Sequence, residues 1–128
     1  MKSVTIEVPI PPRSLSPNGR AHWHAKGRAK RVQRDTSRLA ALAAMGRNPQ
    51  PRWHEATSKV TWYAKAARWP DADNAMGSLK AAIDGLVDAG VLIDDDRLTW
   101  LPIDRRKDAK RPRVEITVTP CTSPGAVV

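Results

Sequence analysis

The chain has 128 residues, with 22 Lys and Arg against 13 Asp and Glu, a formal net charge of +9. That length holds one hydrophobic core and no second independent domain, so function shares a small fold with stability. The lone Cys121 excludes an internal disulfide and suits a reducing, cytoplasmic setting, and no apolar run reaches the length of a signal or membrane-spanning segment. The surplus cations point to a polyanionic partner, nucleic acid first, with a basic but inert surface as the alternative.

Val4, Ile6, Val8 and Ile10 alternate with Ser3, Thr5, Glu7 and Pro9, which predicts a half-buried strand ending at Pro11-Pro12. Residues 11 to 27, rich in Pro, Gly, Ser and basic side chains, read as a loop. Within it His22-Trp23-His24, even with His54, makes a poor zinc set, because no further Cys or His completes it. A helix is expected from about Arg28 to Met45, with Val32, Leu39, Ala40 and Ala43 inward and Arg28, Arg31, Arg34 and Arg38 largely outward. Residues 46 to 51 end it, and Val60, Trp62 and Ala64 then alternate with Lys59, Thr61, Tyr63 and Lys65 in a second strand.

Leu79, Ala82, Ile83, Leu86 and Val87 recur at helical spacing, and Gly90 stands where a C-terminal cap belongs. Leu98 to Ile103 reads as a third strand, and Val114, Ile116 and Val118 mark a fourth. The charged stretch from Asp104 to Arg111 between them reads as a hairpin loop, either solvated or in contact with phosphate. From Pro120 onward periodicity is lost, so residues 1 to 119 form the expected domain and 120 to 128 a loose tail. The order β-α-β-α-β-β predicts an α+β fold: a small mixed sheet of about four strands with two main helices packed on one face.

Two acidic clusters interrupt the positive background. Asp71-Ala72-Asp73-Asn74 precedes the helix at Leu79 to Ala89, and Asp94-Asp95-Asp96 follows it. Phosphodiester hydrolysis needs a strong nucleophile near neutral pH and compensation for charge building on the phosphoryl oxygens; a divalent ion held by carboxylates supplies both. Mg²⁺ takes oxygen ligands and keeps several waters, so two or three Asp side chains suffice. In an extended lead-in, Asp71 and Asp73 point to one side. The second cluster reaches them only if the turn folds back or a dimer partner supplies it, because the intervening helix is about 16 Å long. With Asp73 as N-cap, Lys80 lies about 10 Å along the axis on nearly the same face. The plain alternatives are that Asp73 merely caps the helix, Asp71 favours its dipole, the Asp run is a turn, and Lys80 pairs with Asp84 on the surface.

The run Asp71-Ala72-Asp73-Asn74, followed by Leu79-Lys80-Ala81-Ala82-Ile83-Asp84-Gly85-Leu86-Val87-Asp88-Ala89-Gly90-Val91-Leu92-Ile93-Asp94-Asp95, resembles the core of the RusA family of Holliday junction resolvases. The likeness extends, more loosely, to Pro11-Pro12, Ser16-Pro17-Asn18 and Pro112-Arg113-Val114-Glu115-Ile116, and so covers most of the chain. The resemblance implies a Mg²⁺-dependent homodimeric endonuclease, with Mn²⁺ as a substitute ion, that nicks four-way DNA junctions symmetrically. It makes Asp71, Asp73 and Asp95 the metal-binding aspartates, with Asp94 adjacent, and Lys80 the catalytic lysine. Lys80 matches through the Ala-Ala after it, but stands three residues further from the second Asp than the family's lysine, and Gly77 occupies the position one turn after Asp73.

On this reading Arg13, Arg20, Lys26, Arg28, Arg31 and the loop carrying Arg105, Arg106 and Lys107 bind the junction arms, positioning DNA without reading its sequence. Two opposed cuts on a near two-fold substrate call for a C2 dimer. Trp23, Trp53, Trp69 and Trp100 are candidates for dimer packing or base stacking, while Trp62 on a strand reads as core. A non-catalytic DNA-binding module and a metal-dependent nuclease for flaps or duplexes are the competing readings.

Overall fold

The structure is a computed structural model and describes residues 2–17 and 23–121. Alternation builds the sheet as the sequence predicts. In β1 (Val4–Val8) the valines and Ile6 are buried while Thr5 and Glu7 face solvent. The same two-residue period buries Val60, Trp62 and Ala64 in β2 (Ala56–Ala64), and Val114, Ile116 and Val118 in β5 (Arg113–Pro120). Register keeps these side chains on one face: Val4 opposes Val118, and Val118 opposes Ser58. β5 runs antiparallel between β1 and β2, and continues to Pro120 opposite Ala56.

The other edge of β2 differs from expectation. The third strand stops early, as β3 (Leu98–Trp100), and the stretch read as a hairpin loop begins with β4 (Asp104–Lys107). Both lie parallel to β2, β3 against Ala56 to Ser58 and β4 against Thr61 to Ala64. No hairpin joins them to β5, because β2 lies between. Pro102 has no N–H to offer a ladder, which divides one edge strand into two. β4 escaped detection because all four of its residues are charged, a composition that suits an edge strand and discourages further pairing. Among the described residues the sheet therefore has five strands, mixed in direction.

Among the described residues, three helices and a 3₁₀ turn at Arg13–Leu15 complete the fold. α1 (Trp23–Met45) starts five residues before the predicted position, since Ala25, Lys26, Arg28, Ala29 and Lys30 are good helix formers despite Gly27. Its inward face is corrected in part: Ala40 packs against the core as predicted, but the buried row is Gln33, Ser37, Ala41 and Met45, while Val32 and Leu39 are 65% and 58% exposed and Ala43 is exposed. The reason is close approach. α1 packs on α3 (Lys80–Asp88) at Gly85, where only small or hydrogen-bonding side chains fit between the backbones, so apolarity alone selected the neighbouring ridge. On α3, Ala82, Ile83 and Leu86 enter the same core as the inner sheet face, as their spacing predicts.

One polar atom in this core stands apart. Ser58 Oγ, on the inner face of β2, is buried and has no hydrogen-bond partner among the described residues. Ser58→Ala removes a hydroxyl that only desolvation touches, so its thermal unfolding midpoint should match or exceed wild type, by up to about 1 kcal/mol of stability. A comparable loss in a thermal melt would mean that the hydroxyl is paired.

Candidate active site

The acidic motif opens a helix rather than an extended lead-in. α2 (Ala72–Ser78) is capped by Asp71, whose extended backbone lets its carboxylate accept from the Asn74 N–H at 2.9 Å. Asp73, expected as the cap, sits in the first turn instead, where the free N–H groups favour a carboxylate. The strand-like argument for two parallel side chains therefore no longer applies. Both carboxylates are exposed.

What was read as one helix is two. The helical backbone breaks at Leu79, whose φ of −105° and ψ of 4° leave the α region, while its side chain is wholly buried. Across the break, Gln33 of α1 donates from Nε2 to the Ser78 carbonyl at 2.9 Å and accepts at Oε1 from the Ala82 N–H at 2.9 Å. Ser37 Oγ donates to the Ala82 carbonyl at 2.6 Å, fixing α1 to the first turn of α3.

The far end of α3 turns the chain back. Gly90 has φ of +83°, and Gly90 N and Val91 N bond the Val87 and Leu86 carbonyls at 3.0 Å each, the Schellman arrangement that a glycine permits. The returning segment is held by Arg52 and Trp53: Trp53 N donates to the Val91 carbonyl at 3.0 Å and Ile93 N to the Trp53 carbonyl at 3.1 Å. α3 rises roughly 13 Å, and the five residues from Val91 to Asp95 can cover that distance, so the acidic turn returns to the start of α3. There Lys80 Nζ bonds Asp95 and, at 3.2 Å, Asp84. The contact lies within one subunit, and of the three turn aspartates Asp95 is the one that meets Lys80.

These charges reinforce each other. The hydrogen bond to Asp95 raises the Lys80 ammonium above its ordinary 10.5, and Lys80 in turn holds the Asp95 carboxyl below 3.8. Both groups are charged throughout the neutral range. Asp94 Oδ1 accepts from the Asp95 N–H at 2.7 Å and stiffens the turn.

A cleft of about 320 Å³ opens beside Lys80, walled by Lys30, Arg31 and Arg34 of α1 and by Gly77, Lys80 and Asp84. A neighbouring hollow of about 420 Å³ shares Leu15, Lys30, Gly77 and Lys80 and adds Lys26, Met76 and Trp100. Of the predicted DNA contacts, Lys26 and Arg31 line this ground. Arg13 is exposed on the 3₁₀ turn, and Arg28 borders a separate apolar groove with Val32. Arg105, Arg106 and Lys107 stand on β4, where Arg106 is tied to Asp104 at 3.0 Å. Arg20 lies outside the described residues. Lys30 was missed, although its place four residues after Lys26 and four before Arg34 puts all three on one helical row.

The candidate metal ligands fit a hard divalent ion in kind, since all are carboxylates, and one of them already holds a cation in the form of Lys80. They are not gathered into a cage: among the described residues no three Asp, Glu, His or Cys side chains are grouped to hold one ion. The histidine set is no closer, with His22 outside the described residues and His24 against the Trp23 ring at 3.4 Å between centroids.

Arg34 also braces the cleft through a forked pair with Asp88, at 2.6 and 2.8 Å. Those bonds hold the Asp88 carboxyl below its ordinary 3.8, so the unfolded chain takes up this proton first as pH falls. The pair's contribution is complete above the unfolded value and is lost as pH drops through the folded one. Arg34→Met should therefore show a smaller fall in Tm between about pH 6 and pH 3 than wild type. An equal fall would exclude the pair as a source of acid lability.

Lys80 and Asp84 line a cleft that also bears Lys30, Arg31 and Arg34, and Asp95 is bonded to Lys80 beside it. Residues 15–119 match the family described as Endodeoxyribonuclease RusA, and the chain belongs to that family of Holliday junction resolving enzymes. It is also similar to an uncharacterized protein of Xylella fastidiosa (strain Temecula1), 30% identical over 123 residues that cover 95% of this chain and 78% of the relative. RusA nucleases are generally metal-dependent and act on junction DNA. No helix among the described residues is long and apolar enough to cross a membrane.

Proposed function

We propose that this protein is a cytoplasmic, Mg²⁺-dependent resolvase that acts as a C2 homodimer and cuts four-way junctions by paired, symmetric nicks. The observation that carries the proposal is Lys80, bonded to Asp95 and lining a cleft whose other wall bears Lys30 and Arg31, in a chain of the RusA family. Asp71, Asp73 and Asp95 would hold the ion, with Mn²⁺ as a substitute. When bound, the ion supplies a nucleophilic water near neutral pH and offsets charge on the phosphoryl oxygens.

The chain's own residues do the rest. Lys80 stays protonated at neutral pH and exchanges its carboxylate partners for a phosphoryl oxygen, where its charge stabilises the transition state. Asp84, one turn on, keeps the ammonium in place between turnovers. Lys26, Lys30 and Arg31 bind backbone phosphates beside the cut, and Arg13, Arg20, Arg28, Arg105, Arg106 and Lys107 hold the arms. Cleavage leaves a 5′-phosphate and a 3′-hydroxyl. The junction's near two-fold symmetry supports the dimer, since one site per subunit makes one cut. The exposed thiol of Cys121 suits a reducing compartment.

The test is cleavage of an end-labelled four-way junction and its matching linear duplex, with Mg²⁺ or with EDTA. Paired nicks confined to the junction and abolished by EDTA are expected. Tight junction binding without cleavage in any divalent metal would leave a non-catalytic structure-selective binder, and equal cutting of duplexes or flaps would leave a less selective nuclease.

A further inference from the structure

In a continuous helix from Ala72 to Asp88, the Ala82 N–H would bond the Ser78 carbonyl four residues before it. Those are the two groups that the Gln33 carboxamide occupies, donating to one and accepting from the other at 2.9 Å each. A side chain inserted into the helical ladder is a known cause of a sharp bend, and here the bend falls at Leu79. Gln33 is 7% exposed, and both ends of its amide are satisfied, so the wedge leaves no buried polar group unpaired. Lys80 lies inside the span that the amide bridges. Its partner Asp95 is reached from the first residue of α3, directly after the break.

We infer that Gln33 is a positioning residue for Lys80: by holding the α2–α3 ladder open it sets the direction of α3 and turns Lys80 toward Asp95. An unbroken helix would carry Lys80 about two turns, roughly 10 Å, beyond Asp73 on a fixed line, whereas the break gives α3 a direction of its own. The inference rests on the proposed role of Lys80 for its catalytic meaning, but the placement of Lys80 is measurable without catalysis.

The experiment compares wild type with Gln33→Met, which keeps length and volume but neither hydrogen bond, and with Ser37→Ala, which loosens the same helix pair outside the gap. Acylation of Lys80, followed by mass spectrometry in the absence of metal and DNA, reads the Lys80–Asp95 contact, and amide exchange at Ala82 reads the ladder. Gln33→Met should speed Lys80 acylation and alter Ala82 exchange. Its kcat on junctions should fall roughly ten- to a hundredfold with KM little changed. Ser37→Ala should change stability alone. A folded Gln33→Met protein with wild-type Lys80 acylation overturns the inference. Should that variant not fold, Gln33→Asn, one methylene too short to span both groups, replaces it in the same measurements. Altered acylation in Gln33→Met together with normal cleavage by Lys80→Ala would keep the positioning role and remove Lys80 from the chemistry.

Discussion

Asp73→Asn is expected to reduce junction cleavage on the order of a thousandfold while leaving junction binding intact or tighter. The substitution keeps the side chain's shape and takes away one negative charge. Asp73 lies in the first turn of α2, where a carboxylate interacts favourably with the free N–H groups, so the stability cost is about 0.3–1 kcal/mol. A loss that small cannot unfold a protein of ordinary stability, which separates a catalytic failure from a structural one. Removing a negative charge from the surface of a basic chain also lowers repulsion toward phosphate. Two readouts decide the matter: Mn²⁺ binding by electron paramagnetic resonance, and nicking of a labelled junction under single-turnover conditions. Weakened Mn²⁺ binding together with lost nicking is the expected pair. Near wild-type cleavage would remove Asp73 from the ligand set.

Gly85→Ala is expected to be the most damaging single-methyl change in the fold. A Cβ at Gly85 would overlap the Arg34 carbonyl and stand 2.9 Å from Ser37 Cβ and 3.0 Å from the Arg38 N. Two of these three neighbours are backbone atoms of α1, so no rotamer change relieves the contact, and the helices must separate. Ala gains about 1 kcal/mol over Gly in helix propensity, but overpacking of this kind costs about 1–3 kcal/mol and often more when backbone must move. With the propensity gain included, we expect a net loss of about 2 kcal/mol and a Tm lower by about 5–12 °C. Gly27→Ala on α1 is the matched control, because a Cβ there meets nothing within 4 Å. That change should hold or raise Tm in the same circular dichroism melts. A Gly85→Ala protein as stable as wild type would show that α1 and α3 do not approach so closely.

Much of the architecture was legible because burial imposes a period. Val4, Ile6 and Val8, then Val60, Trp62 and Ala64, then Val114, Ile116 and Val118 each mark a strand that turns one face to the core. Gly90 marked the end of α3 because only a residue without Cβ adopts its φ cheaply. Other features are set by distant partners and leave no local trace. The break at Leu79 has no Gly or Pro at that position; it is held by Gln33, which bonds Ser78 from forty-five residues earlier. Where Gly85 draws the helices together, the inner row of α1 carries Gln33, Ser37 and Ala41 rather than large apolar side chains, so hydropathy favoured the neighbouring ridge at Val32 and Leu39. β4 has no apolar residue to alternate. In the candidate site, the two acidic clusters and Lys80 could be picked out by residue type, but the meeting of Asp95 with Lys80 depends on the Gly90 turn and on the Arg52 and Trp53 ties.

The position of β5 has a consequence for how the molecule is made. It is the last strand among the described residues, yet it sits between β1 and β2 and supplies both of them with hydrogen-bonding partners. During synthesis from the N-terminus, β1 and β2 emerge long before the strand that joins them, and they wait with open edges. The sheet can close only after residue 120 has left the ribosome, by pairings as distant in sequence as Val4 with Val118. Such distant contacts make folding slow, in the range of milliseconds to seconds. Until then the unpaired edges are the part of the nascent protein most exposed to aggregation, and the part a chaperone would have most reason to shield.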